Sequence, residues 1–474
     1  MKLKWIAVLM LAVLAVSCAV NPVTGHRELS LISESQEIEM GRQTDIEVLG
    51  QYGLYSDPAL SAYVGKMGLA LAAKSQRPGL PWRFSVLDSP VINAFAVPGG
   101  SVYVTRGILA LMTSEAELAG VLGHEIGHVN ARHSVRQMNQ QILAQVGLAV
   151  GSAVSRTFAK YSGAAGVGLQ VLFLKYSRDD ERQADALGVG YSRLGGYDPG
   201  DIAVFFEALD RSGDHSAGKS LPGFLSTHPL TSERIQNVKA ILKPEDKALA
   251  RRPEPYLRSV DNIVYGEDPR QGFVEGSTFY HPGLRCAFVV PAGWQVENTP
   301  AHVTLATADG KAGVLLLAEK SVEGPEGYAR KKAAEITGGK LLAEGGTTIN
   351  GLAGYEQTYN VTAENQAAVQ MRRSYLKKGE HVFTFSALSA ATDFAKYESE
   401  FRRVVGSFRE LTDPSLLNRQ PKRLALVKAW GKDTLQDIFR KAGLAENLRS
   451  QFAVLNGLDL TAVPPAGTLI KVLK

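Results

Sequence analysis

The chain has very little cysteine, and neither sign of charge dominates it. Only Cys18 and Cys286 occur among 474 residues, so no framework of structural disulfides is expected. Cys286 lies in the apolar stretch "RCAFVV" and is predicted to be a buried, unreactive thiol. The net charge of +5, with no stretch that interleaves basic and aromatic residues, predicts no nucleic-acid partner. The composition, 45% hydrophobic and 21% charged, is typical of a globular chain of roughly two to four domains.

Long apolar runs are missing except near the N-terminus. Two lysines in "MKLKWIAVLMLAVLAVSCAV" precede an apolar run that is too short to span a bilayer. This order predicts a secretory signal peptide over residues 1–17. Cys18, which follows, resembles a bacterial lipoprotein cleavage site, although Ala15 stands where that pattern usually has leucine; simple cleavage is the alternative. Ala19 rather than aspartate favours the outer membrane, so the prediction is a periplasmic lipoprotein anchored there through lipid on Cys18.

Residues 21–260 are predicted to be mainly helical, with a small β-sheet. Alternating β-branched and aromatic residues predict three strands, of which the last two form a hairpin: Arg83–Leu87, Ala94–Val97 and Ser101–Thr105. Ser114 and Glu117 form the S-x-x-E pattern of a capping box at the start of a helix. Residues 142–174 are rich in small apolar residues but interrupted by charges. They predict a pair of packed helices or a piece that touches a membrane surface, not a transmembrane span.

The C-terminal half changes character twice. Residues 243–257 are charged and contain proline, which predicts a helix end followed by a linker. Strands at hairpin spacing and two helices follow in residues 272–411, as in an antiparallel α+β domain. Residues 423–474 predict a strand, two short helices and a strand. The predicted fold class is therefore α+β and multidomain: a mainly helical domain with a small sheet, an antiparallel α+β domain, and a small βααβ module.

The stretch "GHEIGHVNARHS" holds three of the nine histidines. His124 and His128 are four residues apart, which on a helix places both imidazoles on one face, as two ligands of one metal require. Glu125 lies about 100° further round the helix, next to where a water on the metal would sit. H-E-x-x-H thus supplies two ligands and a general base, and its chance occurrence is roughly a one-in-a-hundred event. Gly123 and Gly127 weaken a helix, which makes sense where another backbone packs close.

Other polar residues near this stretch have more than one interpretation. His133 is five residues after His128, on a different helical face, so a supporting or packing role is favoured over ligation. A catalytic zinc needs three protein ligands, and "SRDDERQADALG" offers Glu181 and Asp185 on one helical face. One carboxylate could bind the metal while the other orients a ligand histidine. The alternative is a solvated acidic face, and spacing alone does not decide between the two.

Four blocks together resemble the HtpX and CAAX-prenyl-protease type of zinc metallopeptidase. They are "NAFAVPGGSVYVTRGIL", "GHEIGHVNARHS", "SRDDERQADALG" and "STHPLTSERI", in the order found in that family. The resemblance covers roughly residues 21–242. The chain lacks the several transmembrane helices of HtpX, so it is closer to the secreted, BepA-like branch. It also lacks the helical TPR repeats of that branch, so docking of partners through such repeats is not assumed.

The resemblance implies a role for each matching residue. His124, His128 and Glu181 would bind one zinc ion per chain, and Glu125 would be the general base. Asp185 would orient a ligand histidine.

The remaining implied roles concern substrate and oxyanion. Asn93 and Ala94 would lie on an edge strand that binds the substrate backbone by β-augmentation. His228 would stabilise the oxyanion, or occupy the open metal position and hold the enzyme latent. Arg234 is a second oxyanion candidate. The alternative for His228 and Arg234 is a purely structural role.

The last segment, residues 423–474, resembles a LysM module, which binds N-acetylglucosamine in peptidoglycan. The matching residues are Asp433, Thr434, Leu435, Leu455, Asn456, Gly457, Leu458, Gly467 and Ile470. Lys432 replaces the glycine usual before Asp-Thr-Leu, so a packing domain without a ligand is the alternative. Residues 272–411 faintly resemble PsbP-like domains through "FVVPAGWQV", and no mechanism follows from that.

The expected function is that of a zinc-dependent endopeptidase of the bacterial envelope. Its partners would be unfolded or misassembled envelope proteins as substrates, and possible contacts are peptidoglycan through residues 423–474 and the membrane through Cys18. The alternative is a latent or non-catalytic wall-associated chaperone or binding protein. A peptidoglycan hydrolase is disfavoured, because the paired carboxylates of glycosidases have no visible signature.

Overall fold

The computed structural model describes residues 18–148, 175–213, 223–336, 338–362 and 368–474. The chain divides into two compact units. Unit 1 combines the N-terminal part, up to Gly266, with the C-terminal segment Lys422–Lys474, and unit 2 is Glu267–Pro421. Within the described residues, no helix is both long and apolar enough to cross a membrane. Most of the segment 142–174, for which packed helices were predicted, lies outside the described residues.

Unit 1 is mainly helical, as predicted. Its helices up to residue 260 are α1 Glu34–Tyr52, α2 Pro58–Ala72, α3 Arg106–Leu111, α4 Glu115–Asn130, α5 His133–Leu148, α6 Arg178–Gly195, α7 Asp201–Ser212, α8 Phe224–Thr227, α9 Ser232–Ala240 and α10 Pro253–Ser259. A short antiparallel hairpin, β1 Cys18–Val20 with β2 Arg27–Leu29, precedes them. The predicted linker after residue 243 is wrong: this stretch forms a 3-10 turn and α10, whose Tyr256 is fully buried.

A three-stranded sheet lies before the motif helix, and its strands have the predicted bounds. They are β3 Arg83–Leu87, β4 Ala94–Val97 and β5 Ser101–Thr105, in the order β3-β5-β4. β4 and β5 are antiparallel, which confirms the predicted hairpin, and β3 runs parallel to β5. β4 is thus an edge strand, although all four of its residues are buried.

Helices α4 and α6 pack against each other through glycines. A Cβ at Gly123 would lie 3.1 Å from the carbonyl oxygen of Gly188, and one at Gly127 would lie 3.2 Å from that of Ala184. Conversely, a Cβ on Gly188 would lie 3.1 Å from the backbone nitrogen of His124. The missing side chains let the two backbones approach closely, which is the reason predicted for Gly123 and Gly127.

The C-terminal segment forms β17 Leu424–Lys428, α14 Leu435–Lys441, α15 Glu446–Leu455 and β18 Leu469–Leu473. This is the predicted order of strand, two helices and strand, with the two strands paired antiparallel. Its apolar residues belong to the same core as the helices of unit 1. The identification as a LysM module stays a prediction.

Unit 2 is rich in antiparallel sheet. Its strands are β6 Phe273–Glu275, β7 Thr278–His281, β8 Cys286–Val289, β9 Trp294–Asn298, β10 Val303–Thr307, β11 Ala312–Lys320, β12 Gly339–Ile349, β13 Leu352–Val361, β14 Val369–Lys378, β15 His381–Ala390 and β16 Arg409–Glu410. Seven of them form one sheet in the order β12-β13-β14-β15-β11-β10-β9, and four form another in the order β16-β8-β7-β6. Its helices are α11 Pro325–Ala333, α12 Phe394–Gly406 and α13 Pro414–Leu417. The predicted mixture of helices and sheets over several domains is confirmed.

Candidate metal centre

Helix α4 carries the first two candidate ligands and the candidate base. It begins after Ser114, whose hydroxyl accepts a hydrogen bond from the backbone N–H of Glu117. The capping box is only half formed, because the Glu117 carboxylate accepts from Thr113 instead of reaching back to Ser114. Every residue of α4 is buried, so His124, Glu125 and His128 lie inside the protein and not on its surface.

Helix α6 brings the acidic block to the same place. Ser177 caps it, and a full capping box with Asp180 fixes its first turn. Glu181 and Asp185 follow on the face that packs against α4, and both are at most 3% exposed. The solvated acidic face, which the spacing left open, does not apply to these two carboxylates. Asp179 and Arg182 pair on the exposed side instead.

The four candidate ligands converge on one small space. His124 Nε2 lies 3.0 Å from His128 Nε2 and 3.6 Å from Glu181 Oε2. His228 Nδ1 lies 3.0 Å from Glu181 Oε1 and 3.3 Å from His124 Nε2. One ligand atom from each of the four residues lies within 4.8 Å of the other three. Ligands about 2.0–2.2 Å from a shared zinc ion need a separation of this size, so the donor set fits one zinc ion.

Glu125 lies beside this ligand set. Its Oε1 is buried, has no hydrogen-bond partner among the described residues, and is 3.8 Å from His228 Nε2. Burial raises the pKa of the Glu125 carboxyl, although the nearby histidines oppose the shift. A buried carboxylate oxygen that accepts no hydrogen bond from its neighbours is available to accept a proton from a bound molecule.

Asp185 and Arg234 contact the candidate ligands and each other. Asp185 Oδ1 lies 3.0 Å from Nδ1 of His124, so it faces the ring nitrogen opposite the one that faces His128 and Glu181. Arg234 donates to both oxygens of Asp185 at 2.8 and 2.7 Å, and its third nitrogen lies 2.7 Å from Glu181 Oε2. Burial acts to raise the pKa of Asp185, but the Arg234 guanidinium and His124 outweigh it and lower that pKa.

The segment that carries His228 also touches the sheet. His228 follows α8, and its ring stacks on Phe224 with centroids 4.5 Å apart. The Phe224 N–H donates to the carbonyl of Ile92 at 2.9 Å. Asn93 and Ala94, the predicted substrate-binding residues, come directly after Ile92 and are buried. The start of the edge strand and the fourth candidate ligand are therefore held by the same short segment.

Two aromatic residues of the site were not found from the sequence. The ring centroid of Tyr176 lies 4.0 Å from that of His128 and 5.4 Å from that of His228. The ring of Phe224 stacks on that of His228. Tyr176 directly precedes the acidic block, and Phe224 lies four residues before His228. Closeness to a motif in the sequence is too weak a signal to single out either residue. Cys286 is free and buried, as predicted, and burial raises its pKa to about 12.

Two histidines one turn apart on a buried helix, a glutamate between them and a second glutamate from another helix form the site of zinc-dependent metallopeptidases of the H-E-x-x-H type. Residues 58–242 match peptidase family M48. The mitochondrial metalloendopeptidase OMA1 of Schizosaccharomyces pombe is 31% identical over 257 residues, which are 51% of this chain and 73% of that protein. The chain belongs to peptidase family M48.

In other relatives, this chain matches a smaller share of the relative's own length. The beta-barrel assembly-enhancing protease of Escherichia coli is 29% identical over 226 residues, 46% of each chain. The chain thus spans about half the length of this relative. A solution structure of cyanobacterial PsbP from Synechocystis is similar over 29% of this chain and 96% of that one, with 13% identity and a TM-score of 0.25. M48 peptidases use zinc, and His124, His128, Glu181 and His228 form a cluster able to hold one such ion.

Proposed function

We propose that this chain is a zinc-dependent endopeptidase of the bacterial cell envelope that cleaves unfolded or misassembled proteins. The observation that carries the proposal is the convergence of four ligand side chains within 4.8 Å beside the buried carboxylate of Glu125. A structural metal site needs no general base, so a Glu125 oxygen that accepts no hydrogen bond favours catalysis. The activities in the names of the curated relatives, all proteases, support the same class of reaction.

His124, His128 and Glu181 would hold the ion, which when bound supplies Lewis acidity and makes water a stronger acid. Glu125 accepts the proton of the attacking water and later delivers it to the leaving amine. Asp185 fixes the orientation of His124, and Arg234 holds Asp185 and Glu181 in place. These contacts occupy the guanidinium of Arg234, which favours a supporting role over the oxyanion role expected from the sequence.

His228 is proposed to hold the enzyme latent. Its Nδ1 lies among the ligand atoms, 3.0 Å from Glu181 and 3.3 Å from His124, where it would fill the open position. Displacing the α8 segment would free that position and, at the same time, the start of β4 beside Ile92. A substrate strand added to β4 would then be recognised by its backbone, which suits extended, unfolded chains. A permanently latent binding protein is the second candidate that this placement favours.

The proposed location is the periplasm, with a lipid on Cys18 as the outer-membrane anchor. Peptidoglycan is a proposed partner of residues 423–474, supported by the indole of Trp430, which is 74% exposed in the loop after β17. Sedimentation with purified peptidoglycan, with Trp430→Ala as the matched variant, tests this partner. Equal sedimentation of both proteins, or of neither, would leave the segment without a glycan role.

The central experiment compares cleavage of an unfolded model protein by the purified mature chain and by Glu125→Gln, with the zinc content measured for both. We expect about one zinc ion per chain in each protein. The cleavage rate of Glu125→Gln should be lower than that of wild type by a factor of about 10²–10⁴. His228→Ala should keep its zinc and cleave faster than wild type if His228 holds the enzyme latent. Zinc in both proteins without cleavage, even with His228→Ala, would favour the binding protein; absence of zinc would refute the metal site.

A further inference from the structure

The second nitrogen of His128 faces an unusual partner. While Nε2 of His128 points at the ligand set, its Nδ1 lies 2.9 Å from Nδ1 of His133. The other ligand, His124, has the carboxylate of Asp185 in the equivalent place. Carboxylates, backbone carbonyls and waters are the usual acceptors from a ligand imidazole. An imidazole in this place differs from all three, because it can either donate or accept.

A sharp turn of the chain brings His133 back onto His128. Helix α4 ends at Asn130, and α5 begins at His133. Between them, Arg132 has φ of 56°, a left-handed conformation that non-glycine residues rarely adopt. Its side chain is tied down, with Nε donating to Glu37 Oε2 at 3.0 Å and a terminal nitrogen donating to Ile32 O at 2.8 Å. The turn, and with it the place of His133, is therefore fixed by the fold.

The direction of the hydrogen bond between the two imidazoles decides whether His128 can bind a metal. If His133 donates, the Nδ1 of His128 is the acceptor, its proton sits on Nε2, and no lone pair faces the ligand set. If His128 donates, its Nε2 carries the lone pair that a ligand needs. The partners of the far nitrogen of His133 determine which of the two occurs.

These partners are acceptors. His133 Nε2 lies 2.9 Å from the amide oxygen of Gln183 and 3.6 Å from Oδ1 of Asp180. An ionised carboxylate only accepts, and Asp180 is held by Arg136 and by Ser177 at the start of α6. The proton of neutral His133 thus belongs on Nε2, which leaves its Nδ1 free to accept from His128.

We propose that His133 is a positioning residue of the metal centre: it accepts a hydrogen bond from the Nδ1–H of His128, donates its own Nε2–H to Gln183 beside Asp180, and so makes Nε2 of His128 the metal-binding nitrogen. The inference rests on the proposed zinc site. Helix α6 then acts on both motif histidines, through Asp185 for His124 and through Gln183 for His128, besides supplying Glu181.

Zinc affinity of the full mature chain tests the proposal without reference to activity. Metal-free protein is titrated with zinc against a chromophoric chelator, and the unfolding temperature of the same metal-free sample is recorded. For His133→Phe we expect zinc affinity to fall about 10–100-fold, the usual effect of losing such a partner. Affinity unchanged from wild type, whatever happens to the unfolding temperature, would overturn the proposal, because the role of His133 would then be packing alone.

Variants at Gln183 provide the answer even if His133→Phe does not fold. Gln183→Glu keeps the nearer acceptor and should bind zinc as tightly as wild type, whereas Gln183→Met leaves only Asp180, at 3.6 Å, and should bind zinc more weakly. Arg182→Gln, at the exposed neighbouring position, changes the net charge as Gln183→Glu does and serves as its control. Equal zinc affinity of Gln183→Met and Gln183→Glu would contradict the proposed hydrogen bonds from His128 to His133 and from His133 to Gln183.

Nitrogen-15 NMR of histidine-labelled protein shows the proton directly. In the zinc-loaded wild type, the Nδ1 of His128 should carry a proton and the Nδ1 of His133 should not; the reverse pattern would overturn the proposal. Failure of the wild type to bind zinc at all would refute the proposed function, whereas zinc binding that is indifferent to His133 and Gln183 would refute only this inference.

Discussion

Five histidines of the described residues show how the surroundings set the role of the ring. His124, His128, His133 and His228 contact one another or the same carboxylates, so their nitrogens form one network in unit 1. His281, on β7 of unit 2, instead accepts a hydrogen bond from the backbone N–H of Leu284 at 3.1 Å through Nδ1. Its burial lowers the pKa to about 4, which keeps the ring neutral.

This burial predicts a pH effect on stability. Between pH 6.5, the ordinary pKa of His281, and about 4, the unfolded chain binds more protons at this residue than the folded chain. The contribution of His281 to stability is therefore full above pH 6.5 and is lost as the pH falls through about 4. His281→Asn, whose amide oxygen can accept from Leu284, should flatten that dependence in urea unfolding of metal-free protein; an unchanged pH slope would contradict the prediction.

Spacing singled out His124, Glu125 and His128, but it did not predict their contacts. H-E-x-x-H requires only local helix geometry, and Glu181 and Asp185 required the family resemblance to be chosen over a solvated face. The packing of Tyr176 on His128, and the use of Arg234 to hold Asp185, depend on three segments meeting in space. No period or composition carries that information, because each contact joins residues far apart in the chain.

At the scale of elements, the close approach of α4 and α6 builds the centre. The two helices present His124 and Glu181 to one another only because Gly123, Gly127 and Gly188 leave no side chain between the backbones. The glycines weaken each helix in isolation, by about 1 kcal/mol each relative to alanine. The packing they permit explains their presence.

Two alanine substitutions in α6 distinguish the effect of close packing against α4 from the effect of alanine's higher helix propensity. The Cβ of Gly188→Ala would lie 3.1 Å from the His124 nitrogen, so α4 and α6 must move apart; we expect a loss of roughly 1–3 kcal/mol of stability and weaker zinc binding. Gly190→Ala meets nothing within 4 Å and should be neutral or stabilising by up to about 1 kcal/mol. Thermal unfolding and zinc titration of both variants measure this. Equal behaviour of the two would mean that close helix packing does not hold Glu181 in place.

Local patterns predicted the elements well where they lie in one stretch of sequence. The bounds of β3, β4 and β5 and the start of α4 follow from alternation and from the Ser114 cap. The expected linker after residue 243 was wrong because proline and charge are also common at the first turn of a helix, as at the start of α10.

At the scale of the whole molecule, the C-terminal segment belongs to unit 1. Lys471 on β18 is fully buried, and its ammonium donates to the carbonyls that end α3 and lead into α4: Ala110, Leu111 and Met112. Burial lowers the pKa of Lys471 and raises that of Glu117, the acidic group of α4 that interacts with it. The sequence pattern of strand, two helices and strand is correct, but nothing in it shows which surface the segment covers.

Removing the Lys471 ammonium should therefore destabilise unit 1. Lys471→Met keeps the length of the side chain but leaves three carbonyls without this donor and removes one of the cations that act on Glu117. We expect the free energy of unfolding to fall by roughly 3 kcal/mol. Lys428→Met, at the exposed last residue of the paired strand β17, is the control and should change stability by less than about 0.5 kcal/mol. Chemical unfolding of both variants measures the difference; if the two variants are equally stable, the segment does not help to hold α3 and α4.

The central claim is that His124, His128 and Glu181 hold one zinc ion. Anomalous diffraction at the zinc absorption edge, from crystals of the wild-type protein purified without chelator, tests it most directly. The account predicts a single strong peak about 2.0–2.2 Å from Nε2 of both histidines and from a Glu181 carboxylate oxygen. No peak at this place, or a peak bound without Glu181 or without either histidine, would contradict it.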